Sequence, residues 1–271
     1  MPESSRKIFI MFKEKHNKIL KKEYLIEEFH SLGLRKGDIL LIHSSFKSFG
    51  RVEGGPQTVI DALLEVLGKD GTLIMPTFNF DWSDQSPNGI FDLENTPSKM
   101  GILTEIVRKM PGAKRTLHPF YSFAIYGNLA EELSKTDNHD SFGSESIFAQ
   151  ICKLDAKIMI IGLTYNQSMT FFHYVEQQEG VDYRYMKAFS GWIIAQGKKY
   201  KDTYKMLVRD INKGVITAVD PMGEVLEKRG VVNIRKIGES TVKLMRAKDV
   251  YRITAEEMKK NSYLLYNIKK D

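Results

Sequence analysis

The chain has 271 residues, 42% hydrophobic and 27% charged, with a formal net charge of +6 and a pI of about 9.1. This composition excludes an intrinsically disordered chain and is ample for a sizeable core. The cations are scattered, with short clusters at Lys18–Lys22, Lys198–Lys201 and the C-terminus; that is too diffuse for a nucleic-acid surface and suits a small anionic ligand.

Cys152 is the only cysteine, so no intramolecular disulfide forms, which fits a reducing cytoplasm. It lies in an amphipathic helical pattern and reads as a small core hydrophobe. No segment has the length of a membrane-spanning helix, and the apolar run Ile8–Phe12 is too short for a signal peptide. The expectation is a cytoplasmic protein of one domain, residues 1–271, with N-terminal helices over 1–33 packed on it, and no nucleic-acid or membrane partner.

Taken in order, residues 5–33 predict helix, with Ile8, Phe9, Phe12, Ile19, Leu20, Leu25, Ile26 and Phe29 at helical spacings, a break near Lys22 and Gly33 as C-cap. Ile39–Ile42 is a continuous apolar run, a buried strand. His43–Pro56 follows, rich in hydroxyls and glycine, and Pro56 fits the first turn of a helix over Gln57–Leu67. Backbone N–H groups at that helix start, with Lys47 or Arg51 nearby, form an anion site; the alternative is a plain flexible connection. Thr72–Met75 is a second strand, closing a strand–helix–strand unit of the kind that builds parallel sheets. A long irregular stretch to about Lys99 has the character of a substrate loop. Met100–Arg108 predicts helix. Arg115 and His118 then precede a strand, Ser122–Tyr126. Glu131–Thr136 reads as a short helix or turn, and Ser146–Lys153 as a helix.

Lys157–Ile161 is another buried strand, and Gly162 ends it. Thr170 is placed to cap a new helix, on which His173 and Glu176 fall three apart on one face. A histidine and a carboxylate beyond the end of a strand suit proton transfer, and equally a core histidine bonded to a glutamate. After residue 180 the pattern changes. Residues 187–211 alternate as antiparallel strands, 219–229 as helix and 235–244 as strand, and Thr254-Ala-Glu-Glu begins a capped terminal helix. The fold class from pattern is mixed α/β.

Four stretches together resemble the aminoglycoside 3-N-acetyltransferase family: Gly37–Thr58 with its serine pair and double glycine, Asp70–Phe78, Met100–Gly127 with Arg115-Thr-Leu-His118-Pro, and Gly162–Glu176 with Asn166, Thr170, His173 and Glu176. The resemblance implies a mixed central sheet in an α/β/α sandwich with an antiparallel C-terminal part. It also implies direct N-acetyl transfer from acetyl-coenzyme A to an amino-sugar acceptor. His173 would be the general base, with Glu176 or Asp210 as its carboxylate partner, and Thr170 would donate to the thioester oxygen. Implied cofactor contacts are Ser44, Ser45, Lys47, Arg51, Gly54, Gly55, Thr58, Thr77, Arg115 and Thr116; His118 holds the loop or touches pantetheine. Implied acceptor contacts are Asn79, Asp81, Asn166 and Glu179.

The acidic groups Asp81, Asp84, Asp92, Glu94, Glu176, Glu179 and Asp182 suit a polycationic aminoglycoside. The basic chain as a whole suits a nucleotide-linked or surface-polysaccharide amino sugar, and both acceptor classes stay open. A coenzyme A-binding protein without catalysis would need a lost His173 or a broken 44–58 loop, and neither is seen. A serine hydrolase would need a nucleophile elbow, which is absent. The histidines show no metal-ligand spacing beyond His173 and Glu176, so no metal is expected. The oligomeric expectation is a monomer or homodimer.

Overall fold

The computed structural model describes residues 19–82, 89–136 and 138–269. The helix expected over residues 5–18 and the acidic Asp84 lie outside the described residues. Helix α1 spans Lys22–Leu32 and ends on Gly33 in the left-handed region at φ 120°, the cap that its sequence predicts. Strand β1 (Ile39–Ser44), helix α2 (Pro56–Leu67) and strand β2 (Thr72–Pro76) follow. Pro56 opens α2, where its missing N–H has no helical partner to lose.

The stretch from 76 to 99 is not wholly irregular. It carries a short strand, β3 (Ile90–Asp92), which pairs in parallel with a strand far along the chain. Helix α3 (Ile102–Lys109), strand β4 (Lys114–Arg115), strand β5 (Phe123–Gly127) and helix α4 (Ala130–Ser134) come next. Helix α5 (Ile147–Lys153) begins at Ser146, whose side chain accepts from the Ala149 N–H. Strand β6 (Lys157–Ile161) leads into two short helices, α6 (Tyr165–Ser168) and α7 (Phe171–Gln178). The hairpin β7 (Arg184–Ala195) and β8 (Lys198–Arg209) is continuous over twelve paired positions. Then come β9 (Val215–Thr217), α8 (Asp220–Lys228), β10 (Asn233–Ile237), β11 (Ser240–Arg246), α9 (Ala247–Met258) and β12 (Tyr266–Ile268).

The main sheet has seven strands in the order β10-β11-β6-β1-β2-β5-β4. Its centre, β6-β1-β2, is parallel, and β11 and β5 run antiparallel on either side. The parallel strands are apolar on both faces because helices cover both. One face meets α1, α2 and α3 through Phe29, Leu63 and Leu103. The other meets α5, α7, α8 and α9 through Phe148, Phe172, Leu226 and Val250. Burying each such side chain contributes about 1.5–3 kcal/mol. The expected α/β/α sandwich with an antiparallel C-terminal part is therefore present. Cys152 sits half-buried at the edge of the second face.

Two helix starts differ from the sequence reading. Thr254 does not begin the last helix; it lies buried inside α9, whose buried face runs Ala247, Val250, Ile253, Thr254, Met258. That helical spacing outweighs the local cap-like string. Thr170 occupies the N-cap place of α7 in helical geometry and makes no side-chain cap. The cap in this region is Thr164, which forms a reciprocal capping box with Gln167 at the start of α6.

Candidate functional site

The carboxyl ends of β1 and β6 adjoin at the centre of the sheet, where Ser44 pairs with Ile161 and the Ser45 N–H donates to the Ile161 carbonyl at 2.8 Å. Ligands of parallel sheets gather at such ends. Ser48 folds the following turn back: its hydroxyl donates to the Ser45 carbonyl at 2.6 Å and lies 2.9 Å from the Ser240 hydroxyl. Gly162 admits this contact. It has φ 62°, and a Cβ there would lie 1.9 Å from the Ser48 Oγ, so only glycine fits.

Beyond this turn the chain presents Lys47 and Arg51 in the open. Gly55 occupies the N-cap of α2 with no side-chain cap, leaving first-turn N–H groups for an outside acceptor. The Thr58 hydroxyl closes the loop onto the Glu53 carbonyl at 2.6 Å. Gly54 accommodates that hydroxyl, because a Cβ there would lie 2.5 Å from it. Exposed cations, free amides and a glycine-lined turn are a donor set suited to phosphate oxygens.

His173 lies on the first turn of α7. Its Nδ1 is 2.6 Å from Oε2 of Glu176. A carboxylate accepts, so Nδ1 carries the proton and Nε2 keeps a lone pair. Among the described residues, no protein group bonds Nε2. Glu176 is fully buried; the Tyr183 hydroxyl donates to its Oε1 at 2.8 Å, and Arg184 Nε lies 2.8 Å from its Oε2. That guanidinium N–H is off the hydrogen-bond line, so the contact is an ion pair. Burial opposes ionisation of Glu176, but His173, Arg184 and Tyr183 outweigh it and hold the carboxyl below its ordinary range. Burial pushes the His173 imidazole below its ordinary value, Arg184 pushes the same way, and Glu176 opposes. The result is a neutral imidazole at neutral pH, its tautomer set by a buried carboxylate. Phe142 packs edge-on against the ring at 5.8 Å, and Gln177 grips both oxygens of Asp140 at 2.9 and 2.8 Å.

The structure separates the remaining residues expected from the sequence. Asp210 is not the partner of His173: its carboxylate accepts the N–H groups of Asn212 and Lys213 in an adjacent turn. Arg115 is spent internally. It donates to Thr77 Oγ1 and Ser122 Oγ, and to the carbonyls of Leu93, Thr96 and Thr77, and lies over the Phe91 ring. Thr77 and Thr116 are fully buried. Thr116 accepts the Phe123 N–H, so both hydroxyls brace strands. These three positions pin the sheet edge rather than present groups to a cofactor. His118 is likewise structural: its Nδ1 accepts the N–H of Phe120 and of Tyr121, and its Nε2 lies 2.9 Å from the Ser141 hydroxyl.

Asn79 and Asp81 line a separate cleft of about 350 Å³, Asp81 paired with Lys99 at 2.5 Å. Asn166 ties α6 to α8, accepting the Val219 N–H and donating its own N–H to Asp220. Glu179 caps the far end of α7, accepting from Tyr251. A wider cleft of about 670 Å³ opens over the end of β6, lined by Asp220, Glu224, Glu227 and Glu239 with Lys236 and Lys243, the last paired with Glu227 at 2.8 Å. Among the described residues, no cluster of metal-ligating side chains occurs, and no helix is long and apolar enough to cross a membrane.

Sequence reasoning missed Tyr183, Arg184 and His43. Nothing local shows that the residues opening β7 fold onto α7. A signal did exist for His43: it is a polar residue at an inward position of an apolar strand.

Comparison with known proteins bears on the family and the fold. The family model described as aminoglycoside 3-N-acetyltransferase matches residues 41–259. An aminoglycoside N(3')-acetyltransferase-like protein, YokD, of Bacillus subtilis is 27% identical over 243 residues, covering 82% of this chain and 86% of the relative. Its crystal structure superposes with a TM-score of 0.80 over 92% of this chain and 97% of that one. Aminoglycoside N(3)-acetyltransferase VIII of Streptomyces fradiae is 26% identical over 266 residues, 86% of this chain and 89% of the relative. Two further structures share the fold: AAC-IIIb as a binary complex with CoASH, at TM-score 0.79, 19% identity and coverage of 90% and 97%, and AAC-VIa bound to sisomicin, at 0.78, 23%, 90% and 98%. The chain belongs to the aminoglycoside 3-N-acetyltransferase family.

Proposed function

We propose that the protein transfers the acetyl group of acetyl-coenzyme A directly to an amino group of an aminoglycoside or similar amino-sugar acceptor, with His173 as general base. The observation that carries this reading is the His173–Glu176 pair, which leaves Nε2 basic and without a partner among the described residues. An ammonium group is not nucleophilic, and a neutral imidazole accepts the proton that the attacking nitrogen sheds. Glu176 holds the tautomer and stabilises the imidazolium; Tyr183 and Arg184 fix Glu176. No acyl-enzyme is required.

Acetyl-coenzyme A, as co-substrate, supplies an activated thioester. Ser44, Ser45, Lys47, Arg51 and the Gly54–Gly55 turn would hold its phosphates and chain, and Thr170 would donate toward the acyl oxygen. The coenzyme A and sisomicin complexes of the fold relatives support both halves of the reading. The excess of carboxylates (Asp220, Glu224, Glu227, Glu239) over cations (Lys236, Lys243) in the cleft over β6 supports a cationic acceptor. A second acceptor class, a nucleotide-linked or surface-polysaccharide amino sugar, is favoured by a cleft of about 820 Å³ where Arg108, Lys114, Arg115, Lys135 and Lys198 outnumber Glu94 and Glu131.

The test is thiol release from acetyl-coenzyme A by wild type and His173→Ala, against a panel of aminoglycosides and nucleotide-linked amino sugars. The expected result is acceptor-dependent release that drops by about 10²-fold or more without His173. Retained release in His173→Ala would remove the base assignment. Release with neither acceptor class would remove the substrate assignment.

A further inference from the structure

His43 is a second imidazole that the dyad does not use. It lies one residue short of the end of β1, directly before Ser44–Ser45, and is only 5% exposed. Its Nε2 is buried and bonds to nothing among the described residues. Leaving such a group unsatisfied costs about 1–3 kcal/mol, and an apolar side chain would fill the place without that penalty. His118 shows how this protein treats a structural buried histidine: both ring nitrogens are engaged. His43 is built differently, and a buried polar atom with no partner among the described residues marks a place where a bound ligand or an ordered water supplies one.

Its position names the ligand. Alternation along β1 puts His43 on the face of Leu41, and its register partner is Ile160. Leu41 and Ile160 belong to the core cluster against which α7 packs through Phe171, Phe172 and Val175. His43 therefore lies on the side of the sheet that α7 covers, at the carboxyl end of the central parallel strand, and His173 is carried by that helix. Burial holds the His43 imidazole at about 4, so at neutral pH it is uncharged. It is an N–H donor and a poor base, a division of labour with His173 of the kind that sorts acid and base roles in one site.

We propose that His43 donates a hydrogen bond to the carbonyl oxygen of the transferred acetyl group. The proposal rests on the acetyl-transfer reading above. As the acceptor nitrogen bonds to the acyl carbon, the C=O π pair moves onto oxygen and the nitrogen's proton passes to His173 Nε2. The pair returns as the carbon–sulfur bond breaks, and the departing sulfur takes the proton to leave as thiol. A donor fixed in a dry site acts where that negative charge gathers.

The test compares His43→Leu, which keeps volume and removes the donor, with His43→Gln and His43→Asn, which restore an N–H near Nε2 or Nδ1. The Leu variant is expected to lose about 10²-fold in kcat. Its binding of acetyl-coenzyme A stays within about threefold and its acid limb is unmoved, while one amide variant recovers at least about tenfold. A folded His43→Leu with near wild-type kcat would overturn the proposal. Wild-type protein labelled at histidine gives an arm independent of folding and of turnover. The His43 ring resonance is expected to move more with acetyl-coenzyme A than with free coenzyme A. Equal or absent shifts overturn the proposal even where no acceptor is turned over. If the shift is present but no acceptor is acetylated, the acceptor reading alone falls.

Discussion

Arg184 and His173 meet on the same oxygen of Glu176, at 2.8 and 2.6 Å. The cation and the imidazole thus draw on one buried carboxylate, and each sets what the other feels. His173 is also within electrostatic reach of Arg209, Tyr183 hydrogen-bonds the other Glu176 oxygen, and Tyr121 senses both Arg184 and Glu176. Arg184→Met removes a group that lowers the His173 pKa, so the acid limb of kcat/KM is expected to move up. Glu176→Gln removes a group that raises it; the limb moves down while kcat falls. A pH–rate series on both variants checks the opposite signs. Shifts in the same direction would show that Glu176 and Arg184 do not tune His173.

Arg115 is predicted to matter for stability rather than for cofactor affinity. Arg115→Lys cannot reproduce the fork that holds Thr77, Ser122, Leu93 and Thr96. A loss of about 2–4 kcal/mol is expected, from several hydrogen bonds to a charged group at once. The KM for acetyl-coenzyme A should stay within about threefold. Urea unfolding and a substrate titration separate the two effects; a large rise in KM with unchanged stability would return Arg115 to the cofactor site.

Stability should fall as the solution is acidified from neutral. Burial holds His43 at about 4 and His118 at about 3. Both folded values lie below the unfolded value of about 6.5. The unfolded chain therefore takes up protons first, and stability present above pH 6.5 is lost as pH falls through the window down to the folded values. At pH 5 the loss is on the order of 2 kcal/mol for each histidine. Thermal melts between pH 7.5 and 5 check this, and His43→Leu should flatten part of the slope.

Gly162→Ala places a methyl group against Ser48 in a left-handed backbone. A destabilisation of about 1–3 kcal/mol is expected. Gly162→Ala with Ser48→Gly should recover the steric part and leave the backbone part. A double-mutant cycle by denaturant midpoint measures the split, and strict additivity would show that the clash is relieved elsewhere.

The sheet centre was legible because buried parallel strands are continuous apolar runs: residues 39–42, 72–75 and 157–161 all became β1, β2 and β6. The His173–Glu176 pair was legible because three residues along a helix make neighbours. Strand β3 was not, since three residues form a strand only when Trp192–Ile194 pairs with them. Arg184 was not, because its partner is reached by tertiary folding and leaves no periodic trace. Asp210 misled although a local clue was present. Asp210-Ile-Asn-Lys-Gly214 is the string of an aspartate that bonds its own following backbone, which spends the carboxylate before any histidine is met.

Glu176 and Arg184 cancel one another's charge, and a neutral His173 adds nothing to the sum. In the proposed transfer, accepting a proton would leave that pocket with one net positive charge, favoured by Glu176 but opposed by burial and by Arg184. A cation so placed gives its proton up readily to an approaching anion. The sulfur released from the thioester is such an anion, arriving one step later. The buried ion pair thus does more than orient an imidazole. On the proposed mechanism it would make the base a short-lived store that fills as one bond forms and empties as the other breaks, resetting for the next cycle without drawing on bulk solvent.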